Sequence, residues 1–105
     1  RAMAPRFQGE NLDQNLKLVS ALKAIADEKG CSVAQLAIAW VYAQGEDIVP
    51  LIGARKLARL AEALGAIDVV LTPGDMARIE AAAPASAVAG TRYPAALIPT
   101  LDSER

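Results

Sequence analysis

Asp47 to Gly65, DIVPLIGARKLARLAEALG, runs from a short apolar segment through a glycine into a basic helix start. Ile48, Val49, Leu51 and Ile52 lie between Gly45 and Gly53, the pattern of a strand buried on both faces. Pro50 removes one ladder donor, which taken alone sends such a strand to a sheet edge. Gly53 permits close backbone approach. Arg55 and Lys56 follow where a helix would open, so unpaired N–H groups, the positive end of the helix dipole and two cationic side chains converge. A phosphate would sit well there. Spacing alone is equally consistent with a plain turn glycine followed by solvated charges, because phosphate-binding signatures use richer glycine patterns. In a helix from about Lys56 to Leu64, Leu57, Leu60, Ala61 and Leu64 share an apolar stripe, leaving Arg55, Arg59 and Glu62 near the open face.

On the N-terminal side, Pro5 and Gly9 break Arg1 to Glu10 into a loop. Asn11 is placed to cap a helix, with Gln14 reciprocating. Leu12, Leu16, Val19, Leu22 and Ile25 or Ala26 then recur at helical spacing as far as Lys29, and Gly30 suits a C-cap. Ser32 and Gln35 form a second capping box, opening a helix to about Ala43 that is apolar nearly all round through Leu36, Ala37, Ile38, Trp40 and Val41. On the C-terminal side, Gly65 stops the basic helix, and Ile67 to Leu71 reads as extended without a partner. Thr72 as cap, Pro73 at the first helical position and Asp75 reaching back start a last helix through Met76, Ile79 and Ala83, stopped by Pro84. Ala85 to Arg105 reads as an irregular tail. The chain by itself is therefore expected to be mostly α-helical with one strand. A lone strand leaves two unpaired edges and the all-apolar helix needs cover, so the chain reads as part of something larger.

Composition bounds the function. A chain of 105 residues that is 53% apolar demands a core. With 11 basic against 12 acidic residues, nothing draws it as a whole toward nucleic acid or an anionic membrane, so any phosphate recognition must be local. The single cysteine, Cys31, excludes an internal disulfide and reads as a buried or half-buried small residue. The lack of histidine excludes a Cys/His zinc cluster or catalytic pair. The opening residues carry no apolar signal region, and Val33 to Ala43 is far short of the roughly 20 residues a span needs, so a cytoplasmic location is the expectation. A first residue of Arg rather than Met suggests a fragment, a cleavage product or a boundary.

Several colinear segments carry a resemblance: PRFQGEN at Pro5 to Asn11, SVAQLAIAWVYAQG at Ser32 to Gly45, LTPGDMARIE at Leu71 to Glu80, GTRYP at Gly90 to Pro94, and the Asp47 to Gly65 stretch. Together they resemble the C-terminal part of the aldo-keto reductases. The resemblance implies an α/β fold, with residues 1–105 as the C-terminal segment of one (β/α)8 TIM barrel: the last strand, its flanking helices, and residues 85–105 as a C-terminal tail. Within a barrel the 48–52 strand is paired on both sides, and a proline near its end is usual.

The resemblance further implies NADP(H)-dependent reduction of aldehydes or ketones to alcohols, with NADPH, a small carbonyl substrate and the missing N-terminal barrel portion as partners. The family's catalytic Asp, Tyr, Lys and His belong to that portion. This sequence resembles the part of the family beyond the seventh strand, Tyr42 and Tyr93 read as packing residues, and the chain alone is expected to be inactive. For the cofactor, Gly53 matches the turn glycine, Ala54 stands in place of Thr or Ser, and Arg55 falls on a position often basic or small. Arg59 matches the position facing the adenosine 2'-phosphate, and Glu62 the acidic residue near the adenine amino group. Ile52 replaces a proline and Ala63 an asparagine. Losing the hydroxyl at 54 and the amide at 63 removes two partners worth about 0.5 to 1.5 kcal/mol each, so cofactor affinity is expected to fall roughly tenfold or more. The eroded pattern leaves an alternative, a truncated helical interaction module derived from the family that has lost the chemistry.

Overall fold

A computed structural model describes residues 2–102. Four α-helices form, α1 (Gly9–Lys29), α2 (Val33–Tyr42), α3 (Leu57–Leu64) and α4 (Pro73–Ala82), with 3-10 turns at Pro5–Phe7, Gly65–Asp68, Ala85–Ala87 and Ile98–Thr100.

Local chemistry sets most of the boundaries. Gly30 ends α1 in the left-handed region (φ 70) and donates its N–H to the carbonyls of Ala26 and Asp27, as expected of a C-cap. Ser32 and Gln35 close the reciprocal box on α2, and Thr72 and Asp75 do the same on α4 behind Pro73. The start of α1 departs from expectation. The helix opens at Gly9 with Gln8 as its uncapped N-cap residue, and Asn11 instead donates from Nδ2 to the Pro5 carbonyl at 3.1 Å. Residues 5–7 curl into a 3-10 turn, so the leading segment is less irregular than composition suggests. The 3-10 turn Gly65–Asp68 takes in Ile67 and Asp68, the first two residues of the run expected to be extended from Ile67 to Leu71, while Val69 is extended.

Packing is concentrated where α1, α2 and α4 meet. Ile25 and Ala26 of α1, Leu36 of α2 and Ile79 of α4 form the buried cluster, with Leu22, Cys31, Val33, Trp40, Leu71 and Ala82 against it. Burial pushes the Cys31 thiol up from its ordinary value, the behaviour of an inert structural cysteine. Lys29 and Asp75 tie the end of α1 to the start of α4 at 2.7 Å. On the other side of α2, Ala63 and Ala66 are buried, and Gln35 Nε2 donates to the Glu62 carbonyl at 2.9 Å, fixing α3 against α2.

The expected strand at Ile48 to Ile52 does not form, and the described residues contain no β-strand. A strand is held by partner backbone groups, and no second strand stands beside this one. Its apolar side chains are left in solvent, with Leu51 fully exposed. The Leu57, Leu60, Ala61, Leu64 stripe is likewise exposed, because α3 turns its small residue Ala63 toward α2. Tyr42 is 59% exposed and Tyr93 39%, the latter with the Arg92 guanidinium 5.9 Å from its ring centre, so neither is a buried packing residue. A Cα radius of gyration of 15.1 Å exceeds the about 13 Å of a compact 100-residue domain, in keeping with apolar faces that none of the described residues covers.

Candidate functional site

The first turn of α3 has no side-chain cap: Lys56 occupies the N-cap position in extended geometry and offers no oxygen acceptor. Where α2 and α4 close their first turns with hydroxyls, α3 leaves the N–H groups of Leu57 and Ala58 to solvent or to an outside acceptor, while the Arg59 N–H donates to the Lys56 carbonyl at 3.0 Å. Positive dipole charge gathers at that end.

An open cleft of ≈ 620 Å³ lies there. Ala34 and Ile38 of α2 form one wall, Ile52, Gly53, Arg55 and Lys56 line the turn, and Arg59, Glu62 and Ala63 of α3 complete it. Four of the five residues expected to meet a cofactor, Gly53, Arg55, Arg59 and Glu62, thus come together, whereas Ala54 does not line the cleft. Nothing lies within 4 Å of where a Gly53 Cβ would stand, so the turn leaves free space beside its backbone.

Arg59 Nη1 donates to Glu62 Oε2 at 2.8 Å. That bond, with a smaller contribution from the Ser32 side chain, holds the Glu62 carboxyl below its ordinary value and so ionised near neutral pH. A guanidinium carries five N–H donors in a planar fork, and this ion pair engages the Nη1 end only. Three cationic residues, Arg55, Lys56 and Arg59, and one carboxylate, that of Glu62, line the cleft in a chain whose net charge is -1. The donor set suits a phosphate group: oxygen acceptors match both the guanidinium fork and the uncapped N–H groups.

The α2 wall was not foreseen from the sequence, since Ala34 and Ile38 read only as members of an apolar helix. Their part depends on how α3 docks, through Gln35 and Ala63, and no local pattern reports that. The sequence placed Arg59 and Glu62 on one open face without pairing them, although residues three apart on a helix are surface neighbours. Among the described residues, no group of three or more His, Cys, Asp or Glu side chains is placed to hold a metal ion, and no helix is long and apolar enough to cross a membrane.

Comparison with known proteins places this chain in a family. Residues 1–84 match the Aldo/keto reductase family. Over 89 residues, 85% of this chain, the sequence is 44% identical to "Probable aldo-keto reductase 1" of Glycine max, of which the match covers 26%. The chain belongs to the aldo/keto reductase family. It spans about a quarter of the length of that curated relative.

Proposed function

We propose that this chain forms the adenosine 2'-phosphate end of an NADP(H) site in a (β/α)8 barrel reductase acting on aldehydes or ketones. Residues 1–105 would be the C-terminal segment of that barrel, with residues 85–105 as its tail. The convergence of Gly53, Arg55, Arg59 and Glu62 on one cleft beside an uncapped helix start carries the reading. In it, Arg59 and Arg55 hold the 2'-phosphate, the first-turn N–H groups of α3 add donors, Gly53 admits the cofactor backbone closely, and Glu62 accepts from the adenine amino group. Ala54 offers no hydroxyl, and it stands outside the cleft wall. The cofactor supplies hydride. The proton-donating and orienting residues would come from the preceding barrel portion, which leaves this segment inactive by itself. A cytoplasmic location accompanies the reading.

In this reading the exposed Ile48 to Ile52 and Leu57, Leu60, Leu64 are the surfaces the preceding barrel strands would cover. The same exposed stripe supports a second reading, a helical interaction module without chemistry. Fluorescence titration of the whole barrel protein with NADPH and NADH separates the two. Tighter binding of NADPH is expected; equal affinity for both removes the 2'-phosphate assignment, and failure to bind either favours the module.

A further inference from the structure

Asn15, in the second turn of α1, is not at a cap position, yet its side chain makes three hydrogen bonds. Nδ2 donates to the Arg6 carbonyl at 3.0 Å and the Ala89 carbonyl at 2.9 Å, while Oδ1 accepts from the Ala89 N–H at 2.8 Å. The carboxamide thus pairs with both polar groups of one peptide residue, as an adjacent strand would. Arg6 Nε donates to the Gly90 carbonyl at 3.2 Å. The bonds to Ala89 and Gly90 join segments 74 and 84 residues apart in sequence.

Gly90 completes the arrangement. Its φ of +80 is one that residues with a side chain rarely adopt, and a Cβ there would stand 2.8 Å from Asn11 Nδ2 and 3.0 Å from both Arg6 N and Pro5 C. Backbone torsion and contact distance both require glycine. The connection back to α4 adds little apolar anchoring, since Ala85–Ala87 contains no buried residue. Polar bonds at Ala89 and Gly90 fasten this stretch, beside the contact of half-buried Val88 with the apolar groove along α1. The buried cluster of Ile25, Ala26, Leu36 and Ile79 includes none of the fastening residues.

We propose that residues 84–93 form a strap latched by Asn15 and Arg6, which opens as a unit while α1, α2 and α4 remain folded. Segments fastened by a few partly solvated hydrogen bonds open at lower free energy than a packed core. Opening changes a second feature. Val88 of the strap lines an apolar groove with Phe7, Leu16, Val19 and Leu22, so strap position sets how much of that groove water or a ligand can reach. The strap does not depend on the cofactor assignment, since no residue of the latch lines the α3 cleft.

Native-state hydrogen exchange on the whole protein tests the latch without any variant. The Ala89 amide should exchange at a rate that low denaturant leaves unchanged, and at least tenfold faster than the Leu36 amide. An Ala89 amide that shares the denaturant slope of Leu36 overturns the proposal, because the strap then opens only with the core. Asn15→Asp preserves shape but sets a carboxylate against the carbonyls of Arg6 and Ala89, and Gly90→Ala strikes the latch from the strap side. In both variants exchange across residues 84–93, and tryptic cleavage after Arg92, should rise at least tenfold with α1, α2 and α4 unaffected. Unchanged rates in both variants, or equal acceleration throughout the helices, overturn it.

Discussion

Arg59→Ala in the whole barrel protein tests the cofactor reading most directly. In the cleft the guanidinium already holds Glu62 at 2.8 Å, and its side chain is 71% exposed. A charge-assisted contact to a phosphate is worth about 1.5 to 3 kcal/mol. Against this stands the exposed pair that Arg59 already makes, whose own worth is about 0.3 to 0.5 kcal/mol. The net selectivity carried by Arg59 is then about 1 to 2.5 kcal/mol, roughly a five- to seventyfold change in the ratio of NADPH to NADH affinity. Tryptophan or nicotinamide fluorescence titrations with both cofactors, at two salt concentrations, measure that ratio. Affinity for NADH should stay within about twofold of the parent, because the 2'-hydroxyl offers no comparable charge. The preference should also fall as salt rises, since the contact is exposed and screened. An unchanged ratio in Arg59→Ala would refute the assignment and move the 2'-phosphate to another cation, Arg55 or Lys56.

Three further predictions concern stability. Leu36→Ala removes the one large side chain among the described residues that is essentially fully buried, at 1% exposure, and should cost about 2 to 5 kcal/mol in urea denaturation. Leu57→Ser, at a position 83% exposed here, should change the stability of this chain alone by under about 0.5 kcal/mol, yet destabilise the whole barrel by more than about 1 kcal/mol; equal effects in the two contexts would argue against a covering barrel. Asp75 accepts from Lys29 and from the Thr72 N–H, which together hold its carboxyl down from 3.8 to about 2. A depressed folded-state value stabilises above the unfolded value and is lost as pH falls through the folded one, so this contribution should be complete above about pH 5 and disappear between about pH 4 and 2. Asp75→Asn should flatten that limb of the pH-stability curve, read by thermal melts; an unaltered acid limb would count against it.

Where structure depends on neighbours in sequence, the residues alone were sufficient. Both capping boxes, the Gly30 terminator, Pro73 at the first helical position and the Arg59–Glu62 spacing each rest on atoms within four residues of one another. The strand at Ile48 to Ile52 shows the opposite case. Its apolar run was legible, but its hydrogen-bond partners belong to other strands, and without them the segment stays irregular. Asn11 and Asn15 were misplaced or missed for a similar reason. Asn11 has cap chemistry, yet the carbonyl it serves is that of Pro5, and the partner of Asn15 lies 74 residues away.

The sequence by itself determined the helices, their stops, the basic start of α3 and the resemblance that proved to be family membership, because propensity, capping and colinear motifs are properties of the chain read in order. Only the tertiary structure decided which cations share a cleft, which face of α3 meets α2, and how the C-terminal segment is fastened to α1. Those depend on contacts between distant residues, where packing of Ala63 against α2 and the reach of a single carboxamide outweigh local pattern.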